Sequence, residues 1–212
     1  MAAELLKVSA VDPDKNIMAY AADLIRRGQV VGVPTDTFYG LAADPFNLAA
    51  IEEIYQVKGR PEDRALPVLV SSIEQAMTLG RDLPPLFLTL AQKFWPGALT
   101  LLVDASELLP LKITANKGRA ALRWPGSAVV VALIDQLGTP VTGTSANISG
   151  HPSCSNADDL MMQLGDRLPL ILDAGETGAL LSSTIVDLSN GEWRIVREGL
   201  VSEQEIQSAI NR

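Results

Sequence analysis

Hydrophobic positions along the chain alternate between a helical and an extended period, and the changes of period outline the elements. Ile17, Tyr20, Ala21, Leu24 and Ile25 recur at helical spacing after Asp12-Pro13, an N-cap followed by proline at the first helical position, and Gly28 supplies the stop. A helix is predicted over 13–27. Residues 29–33 form a valine-rich run ending at Pro34, which reads as a strand buried on both faces and delivers Thr35, Asp36 and Thr37 to its end. A second helix over 48–57 turns Ile51, Ile54 and Tyr55 inward and Glu52, Glu53 and Gln56 outward, and Lys58-Gly59-Arg60-Pro61 then reads as a loop. The pattern continues with strands at 66–70, 98–103, 120–123, 140–142, 168–172, 184–188 and 193–196. Helices are predicted at 72–79, 84–94, 127–137 and 156–164, with a short one from Ser202. This alternation predicts an α/β fold, and its sheet is mixed because the last two strands, separated only by the turn Ser189-Asn190-Gly191, form a hairpin. No repeat, low-complexity tract or flexible linker divides the chain, so a single domain over 1–212 is expected, with its core at about 13–199.

Composition adds limits. With 212 residues, 47% apolar and 20% charged, the chain is globular in type and long enough to bury roughly 70% of its unfolded surface without metal or disulfide staples. Its one cysteine excludes an internal disulfide. Seventeen Lys and Arg against 25 Asp and Glu, a net charge of −8, argue against a broad surface tracking duplex nucleic acid, while a few clustered cations can still hold a small anion. The first ten residues carry Glu4 and Lys7 and lack an apolar signal region, and no apolar run approaches a membrane span, so a cytoplasmic protein is expected.

Several chemistries lack their residues. There is no P-loop, no Gly-rich dinucleotide turn and no nucleophile elbow, and a single histidine, His151, with a single cysteine, Cys154, cannot build an N/S-ligated zinc site. In an extended loop Lys58 and Arg60 project to one side, with Gly59 allowing close approach, so the pair suits a polyphosphate; a solvated basic stretch pairing with Glu62 and Asp63 is the alternative. The segment 142–147, Thr-Gly-Thr-Ser-Ala-Asn, offers hydroxyls, an amide and backbone N–H groups to phosphate oxygens, and is equally the composition of an ordinary turn. Arg119, Arg123 and Arg197, at strand edges in an acidic chain, suit carboxylate or phosphate forks or else surface ion pairs.

Taken in order, Pro34-Thr35-Asp36-Thr37-Phe38-Tyr39-Gly40-Leu41, Lys58-Gly59-Arg60-Pro61, Trp95-Pro96-Gly97, Arg123-Trp124-Pro125, Ser145-Ala146-Asn147-Ile148-Ser149-Gly150 and Ser183-Thr184-Ile185-Val186-Asp187 resemble the YrdC-type threonylcarbamoyl-AMP synthases over nearly the whole chain. The resemblance implies a YrdC-like open, twisted, mixed sheet flanked by helices around a large central cationic cavity. It implies formation of threonylcarbamoyl-AMP and pyrophosphate from L-threonine, bicarbonate or CO2, and ATP carried with Mg2+, for the t6A37 modification of tRNA. It places the phosphate-gripping tetrad on Lys58, Arg60, Ser145 and Asn147. It extends the ATP contacts to Arg64, Arg119, Ser153 and Arg197, and places threonine against Thr37, Tyr39, Arg123, Gly143 and Ser183, with no metal held by the protein itself. The product would pass to the tRNA threonylcarbamoyl-transfer complex, with weak or no direct tRNA binding.

The chain departs from the common pattern of that family at Arg64-Ala65-Leu66, where Asn-Pro-Leu is frequent, and at Leu69, where some relatives carry histidine near threonine. Arg119 replaces a frequent Thr, Glu198 a frequent Pro, and Ser182 a frequent Glu or Pro, while the chain's length matches the short form. Competing readings are a YciO-like paralogue, a non-catalytic RNA-binding module, and the carbamoyl-transfer part of hydrogenase-maturation proteins. Lys58 and Asn147, which the YciO-like proteins tend to lose, favour the synthase.

Overall fold

The computed structural model describes residues 2–59, 64–189 and 191–211. Its strands are β1 Glu4–Lys7, β2 Val31–Val33, β3 Gly40–Ala42, β4 Val68–Leu69, β5 Leu99–Asp104, β6 Arg119–Arg123, β7 Val141–Thr142, β8 Thr144–Ser145, β9 Leu170–Asp173, β10 Thr184–Asp187 and β11 Arg194–Arg197. The helices are α1 Lys15–Arg26, α2 Leu48–Lys58, α3 Ile73–Leu79, α4 Pro85–Phe94, α5 Ala128–Leu137, α6 Ala157–Leu164 and α7 Glu203–Ile210.

The expected mixed sheet is two mixed sheets. One runs β1-β9-β2-β3-β8 and the other β11-β10-β5-β6-β4-β7, and the final hairpin of β10 and β11 is antiparallel as its turn dictates. The chain changes sheets at Gly143, between β7 and β8, where Gly143 N–H donates to Pro67 O and any side chain would collide with Leu69. Sheet one is covered on one face by α1 and α5. Val31, Val33, Leu170 and Leu172 point into the core they share, whereas Val30 and Ile171, one step out of phase, join the larger core with α2, α4 and α6.

Local capping explains most helix starts. Ser72, Ser127, Asn156 and Ser202 each accept a backbone N–H from the first turn, and Ser202 forms a reciprocal capping box with Glu205. The first helix begins later than the Asp12-Pro13 pair suggested. Asp14 caps it, its carboxylate accepting from Asn16 N–H at 2.8 Å and Ile17 N–H at 3.2 Å, so Pro13 lies outside. The second helix runs one residue further than expected, through Lys58, and Gly59 at φ 56° closes it in the left-handed region that only glycine enters without strain. Lys58 therefore leaves a helix's last turn rather than an extended loop. Among the described residues no helix is long and apolar enough to cross a membrane.

Candidate active site

A cavity of about 400 Å3 lies between the two sheets, walled by β3 and β8 on one side and by β4, β5, β6, β10 and β11 on the other. The loop after β2 opens it. Thr37 donates its N–H to Thr35 Oγ1 at 3.0 Å, and the two hydroxyls stand 3.0 Å apart. Arg123, at the end of β6, reaches the same loop: its Nη1 donates to Thr37 Oγ1 at 3.0 Å, its Nη2 to Asp36 Oδ1 at 2.6 Å, and its Nε to Gly97 O at 2.9 Å. The guanidinium is thus held on three sides with 7% of its side chain exposed, still offering unused N–H bonds on both terminal nitrogens.

Across the second sheet, Ser183 Oγ and Thr100 Oγ1 are 2.9 Å apart. Arg197 donates to Ser183 O at 2.8 Å and to Ser183 Oγ at 3.2 Å. Burial, and next the positive charge of Arg123, lower the Arg197 pKa from its ordinary value, and among the described residues no carboxylate pairs with it. Two guanidinium groups facing one hollow, only one of them neutralised, form a site that gains by receiving an anion.

Lys58 sits behind the cavity wall. Lys58 is 2% exposed, and its ammonium donates to Ser145 O, to Asn147 O at 2.9 Å and to Asn147 Oδ1 at 3.2 Å. Ser145 Oγ donates to Asn147 Oδ1 at 2.6 Å, and Asn147 Nδ2 donates to His151 O at 2.6 Å. The turn is also tied to Tyr39, whose O accepts Ala146 N–H at 2.8 Å. Lys58, Ser145 and Asn147 are therefore one hydrogen-bonded unit of which Ser145 lines the cavity and the other two brace it from behind. Arg60, the fourth member expected from the sequence, lies outside the described residues.

The cavity wall gathers Thr37, Tyr39, Arg123, Gly143, Ser145, Ser153, Ser183 and Arg197. Besides Lys58 and Asn147, which brace it from behind, it does not gather Arg64 or Arg119. Arg64 is exposed and off the wall, and Arg119 turns to Asp187, donating to Oδ2 at 3.0 Å, with Arg194 on the same oxygen at 2.8 Å. Against the expectation that Arg119 faces the ligand, a carboxylate at 1% exposure on β10, two strands away with β5 between, draws its guanidinium off the wall. Tyr39 donates its hydroxyl to Gly175 O at 2.7 Å and receives Ala174 N–H at 3.2 Å, and burial raises its pKa to about 12. Burial and then Asp159 push the Cys154 thiol up to about 11 against the opposing charge of Lys58. Sequence reasoning passed over Asp36, Thr35 and Thr100 as site residues. Thr35 and Asp36 had a signal in the sequence, the Pro34–Leu41 block that also carries Thr37.

The Sua5/YciO/YrdC family model, described as telomere recombination, matches residues 23–199. The chain belongs to this family. Its relatives within it include the threonylcarbamoyl-AMP synthases of Pyrococcus abyssi, 36% identical over 90% of this chain and 56% of that protein, and of Bacillus subtilis, 36% identical over 96% and 58%. The chain thus spans a little over half the length of those family members. A putative threonylcarbamoyl-AMP synthase of Mycobacterium tuberculosis is 38% identical over 90% of this chain and 87% of its own. Among solved structures of the family, P. abyssi Sua5 complexed with L-threonine superposes with a TM-score of 0.94 at 34% identity, covering 98% of this chain and 61% of that one. The YciO structure from E. coli shares the fold, with a TM-score of 0.88 at 21% identity over 96% and 99% of the two chains.

Proposed function

We propose that this chain is an L-threonylcarbamoyladenylate synthase, forming threonylcarbamoyl-AMP and pyrophosphate from L-threonine, bicarbonate or CO2, and ATP. The observation that carries the reading is the convergence of Arg123, Thr37, Ser183 and Arg197 on one cavity between the sheets, in a fold whose relatives bear that activity in their names.

The chemistry needs two anions brought together. The amine of threonine, as the free base, adds to the carbon of CO2, forming the N–C bond and releasing a proton to give a carbamate. A carbamate oxygen then attacks the α-phosphorus of ATP, the new P–O bond forming as the bond to pyrophosphate breaks and the electron pair leaves with pyrophosphate. No covalent nucleophile is required of the protein; positioning and fixed positive charge supply the catalysis. Arg123 takes the carboxylate of threonine, with the hydroxyls of Thr37 and Ser183 beside it. Arg197, Ser145 and Ser153 take the nucleotide phosphates, and the backbone of Gly143 lies beside the threonine. Lys58 and Asn147 hold Ser145 in place and add the field of a buried ammonium. Mg2+ is proposed to come as part of the Mg-ATP substrate. The product then passes to the tRNA threonylcarbamoyl-transfer machinery, and direct tRNA binding is weak given a net charge of −8.

The test is purified protein with threonine, bicarbonate, Mg-ATP and pyrophosphatase. Threonine-dependent phosphate release and a threonylcarbamoyl adenylate detected by mass are expected. Release that is absent or indifferent to threonine overturns the proposal. Tight RNA binding whose log K falls steeply with log salt would favour the RNA-binding alternative.

A further inference from the structure

The hydroxyl of Thr35 is fully committed, and its commitment dictates what Thr37 offers to the cavity. Thr35 Oγ1 carries one proton and two lone pairs. Its proton goes to Phe38 O at 2.7 Å, and one lone pair accepts Thr37 N–H at 3.0 Å. The remaining lone pair faces Thr37 Oγ1 at 3.0 Å, so in that contact Thr37 is the donor. Thr37 Oγ1 meanwhile accepts from Arg123 Nη1 at 3.0 Å. Its proton and one lone pair are spoken for, and a single lone pair is left for a ligand. The hydroxyl of Thr37 is an acceptor and nothing else toward the cavity, and both residues are buried, at 9% and 5% exposure.

We infer that Thr35 is a positioning residue that fixes the proton of Thr37 so that Thr37 receives an N–H from the substrate's α-nitrogen while leaving that nitrogen's lone pair free. The inference rests on the proposed synthase reading. Thr37 Oγ1 is bonded to the same Arg123 nitrogen that has an N–H left for the carboxylate, and in an amino acid the α-nitrogen stands one bond closer to the carboxylate than a β-hydroxyl does. The nitrogen is therefore the group that falls on Thr37. An acceptor suits every form that nitrogen takes, since ammonium, free amine and carbamate all carry an N–H. A donor would be counterproductive: a hydroxyl proton directed at the free amine would occupy the lone pair that must form the bond to CO2. Thr35 makes no hydrogen bond to substrate in this account, having no proton or lone pair to give.

The experiment compares threonine and ATP binding by calorimetry, with melting curves as controls, for wild type, Thr35→Val, Thr35→Ser, Thr37→Val and the double variant. Thr35→Val keeps the shape and removes the hydroxyl. It is expected to weaken threonine binding by about 10-fold with ATP affinity held within about two-fold, and Thr35→Ser is expected to restore it. Adding Thr35→Val to Thr37→Val should change threonine affinity by less than about two-fold, because one acts through the other. Additive losses, equal losses for ATP, or wild-type threonine binding by a folded Thr35→Val overturn the inference. If Thr35→Val does not fold, Thr35→Cys, which preserves volume with a weak S–H, takes its place. Wild-type protein supplies a further arm: 2-aminobutanoate should bind and 3-hydroxybutanoate should not, and the reverse result overturns the inference. Threonine binding that behaves as expected without threonine-dependent pyrophosphate release leaves the inference standing and removes the synthase reading.

Discussion

Lys58 directs its buried ammonium at the backbone of Asn147, 2.9 Å away, and so supports the 145–147 turn from beneath rather than reaching across the cavity. Removing it strands several oxygens of a buried turn, a loss of about 1–3 kcal/mol by the usual cost of an unsatisfied buried group. Lys58→Ala is expected to lower the melting temperature in the absence of any ligand and to reduce threonylcarbamoyl-adenylate formation by about 10²-fold, the scale for losing a preorganised charge-stabilising group. Ser145→Ala retains both backbone acceptors of Lys58, and its melting temperature should stay close to that of wild type. A Lys58→Ala protein with unaltered melting and only a loss of ATP affinity would mean that the lysine leaves its turn to grip phosphate.

Arg123 owes its orientation to Asp36, and the pair is buried on both sides, with 7% and 19% of the side chains exposed at 2.6 Å. Breaking a buried pair by deleting one partner leaves an uncompensated charge and costs about 3–5 kcal/mol. Asp36→Ala is therefore expected to destabilise the fold by roughly that amount. The milder Asp36→Asn keeps an acceptor for Nη2 and should raise the threonine dissociation constant about 10-fold, with a smaller loss of stability. Calorimetric titration with threonine alone decides this, and an unchanged constant would show that Gly97 and Thr37 suffice to aim the guanidinium.

What could be read from the chain follows from how local each determinant is. Helices α3, α5, α6 and α7 were visible because Ser72, Ser127, Asn156 and Ser202 carry their caps beside them in sequence. Strands β3 and β8 were not. Gly40–Ala42 and Thr144–Ser145 lack a β-branched run; β3 is a strand because it pairs with β2, and β8 because it pairs with β3 across a long stretch of chain. The motifs marked Thr37, Arg123 and Ser183 singly, whereas the bond from Arg123 to Thr37 joins residues 86 apart, and no periodicity encodes such a meeting. Lys58 was misjudged by one residue of helix length. That residue converted an expected loop cation into a buried brace, because a helix's last turn fixes the side chain's direction whereas a loop leaves it open.

Tyr39 ties the cavity to the segment after β9, and its proton is part of the tie. Its hydroxyl donates to Gly175 O, so the neutral phenol is the form the fold holds, and burial puts its pKa at about 12 against an ordinary 10.0. The sign follows from linkage. Between those values the unfolded chain gives up the proton and the folded one keeps it, so the contribution is complete below pH 10 and is lost as pH rises toward about 12. Denaturant midpoints followed up the alkaline range should fall more steeply in wild type than in Tyr39→Phe, which starts lower because Ala174 N–H and Gly175 O lose their partner. Parallel curves would show that the phenol titrates alike in both states.

Asp187, on β10 of the other sheet, carries the opposite dependence. Burial alone would raise its carboxyl, yet the Ser189 hydroxyl and N–H, Arg194 and then Arg119 together hold it below the ordinary 3.8. For a depressed carboxyl the stabilisation is present above the unfolded value and disappears as pH falls through the folded one, so it acts only on the acid limb. Asp187→Asn should unfold more readily at neutral pH, having lost its ion pairs with Arg119 and Arg194, and should show a flatter decline on acidification than wild type. The same pairing constrains Arg119. Its guanidinium is drawn to Asp187, away from the cavity wall, so Arg119→Ala is expected to cost stability while ATP affinity changes by less than about three-fold, well under the tenfold that 1.4 kcal/mol represents. Urea midpoints at several pH values and ATP titrations on the two variants separate the possibilities, and a large loss of ATP affinity in Arg119→Ala with unchanged stability would return that arginine to the nucleotide.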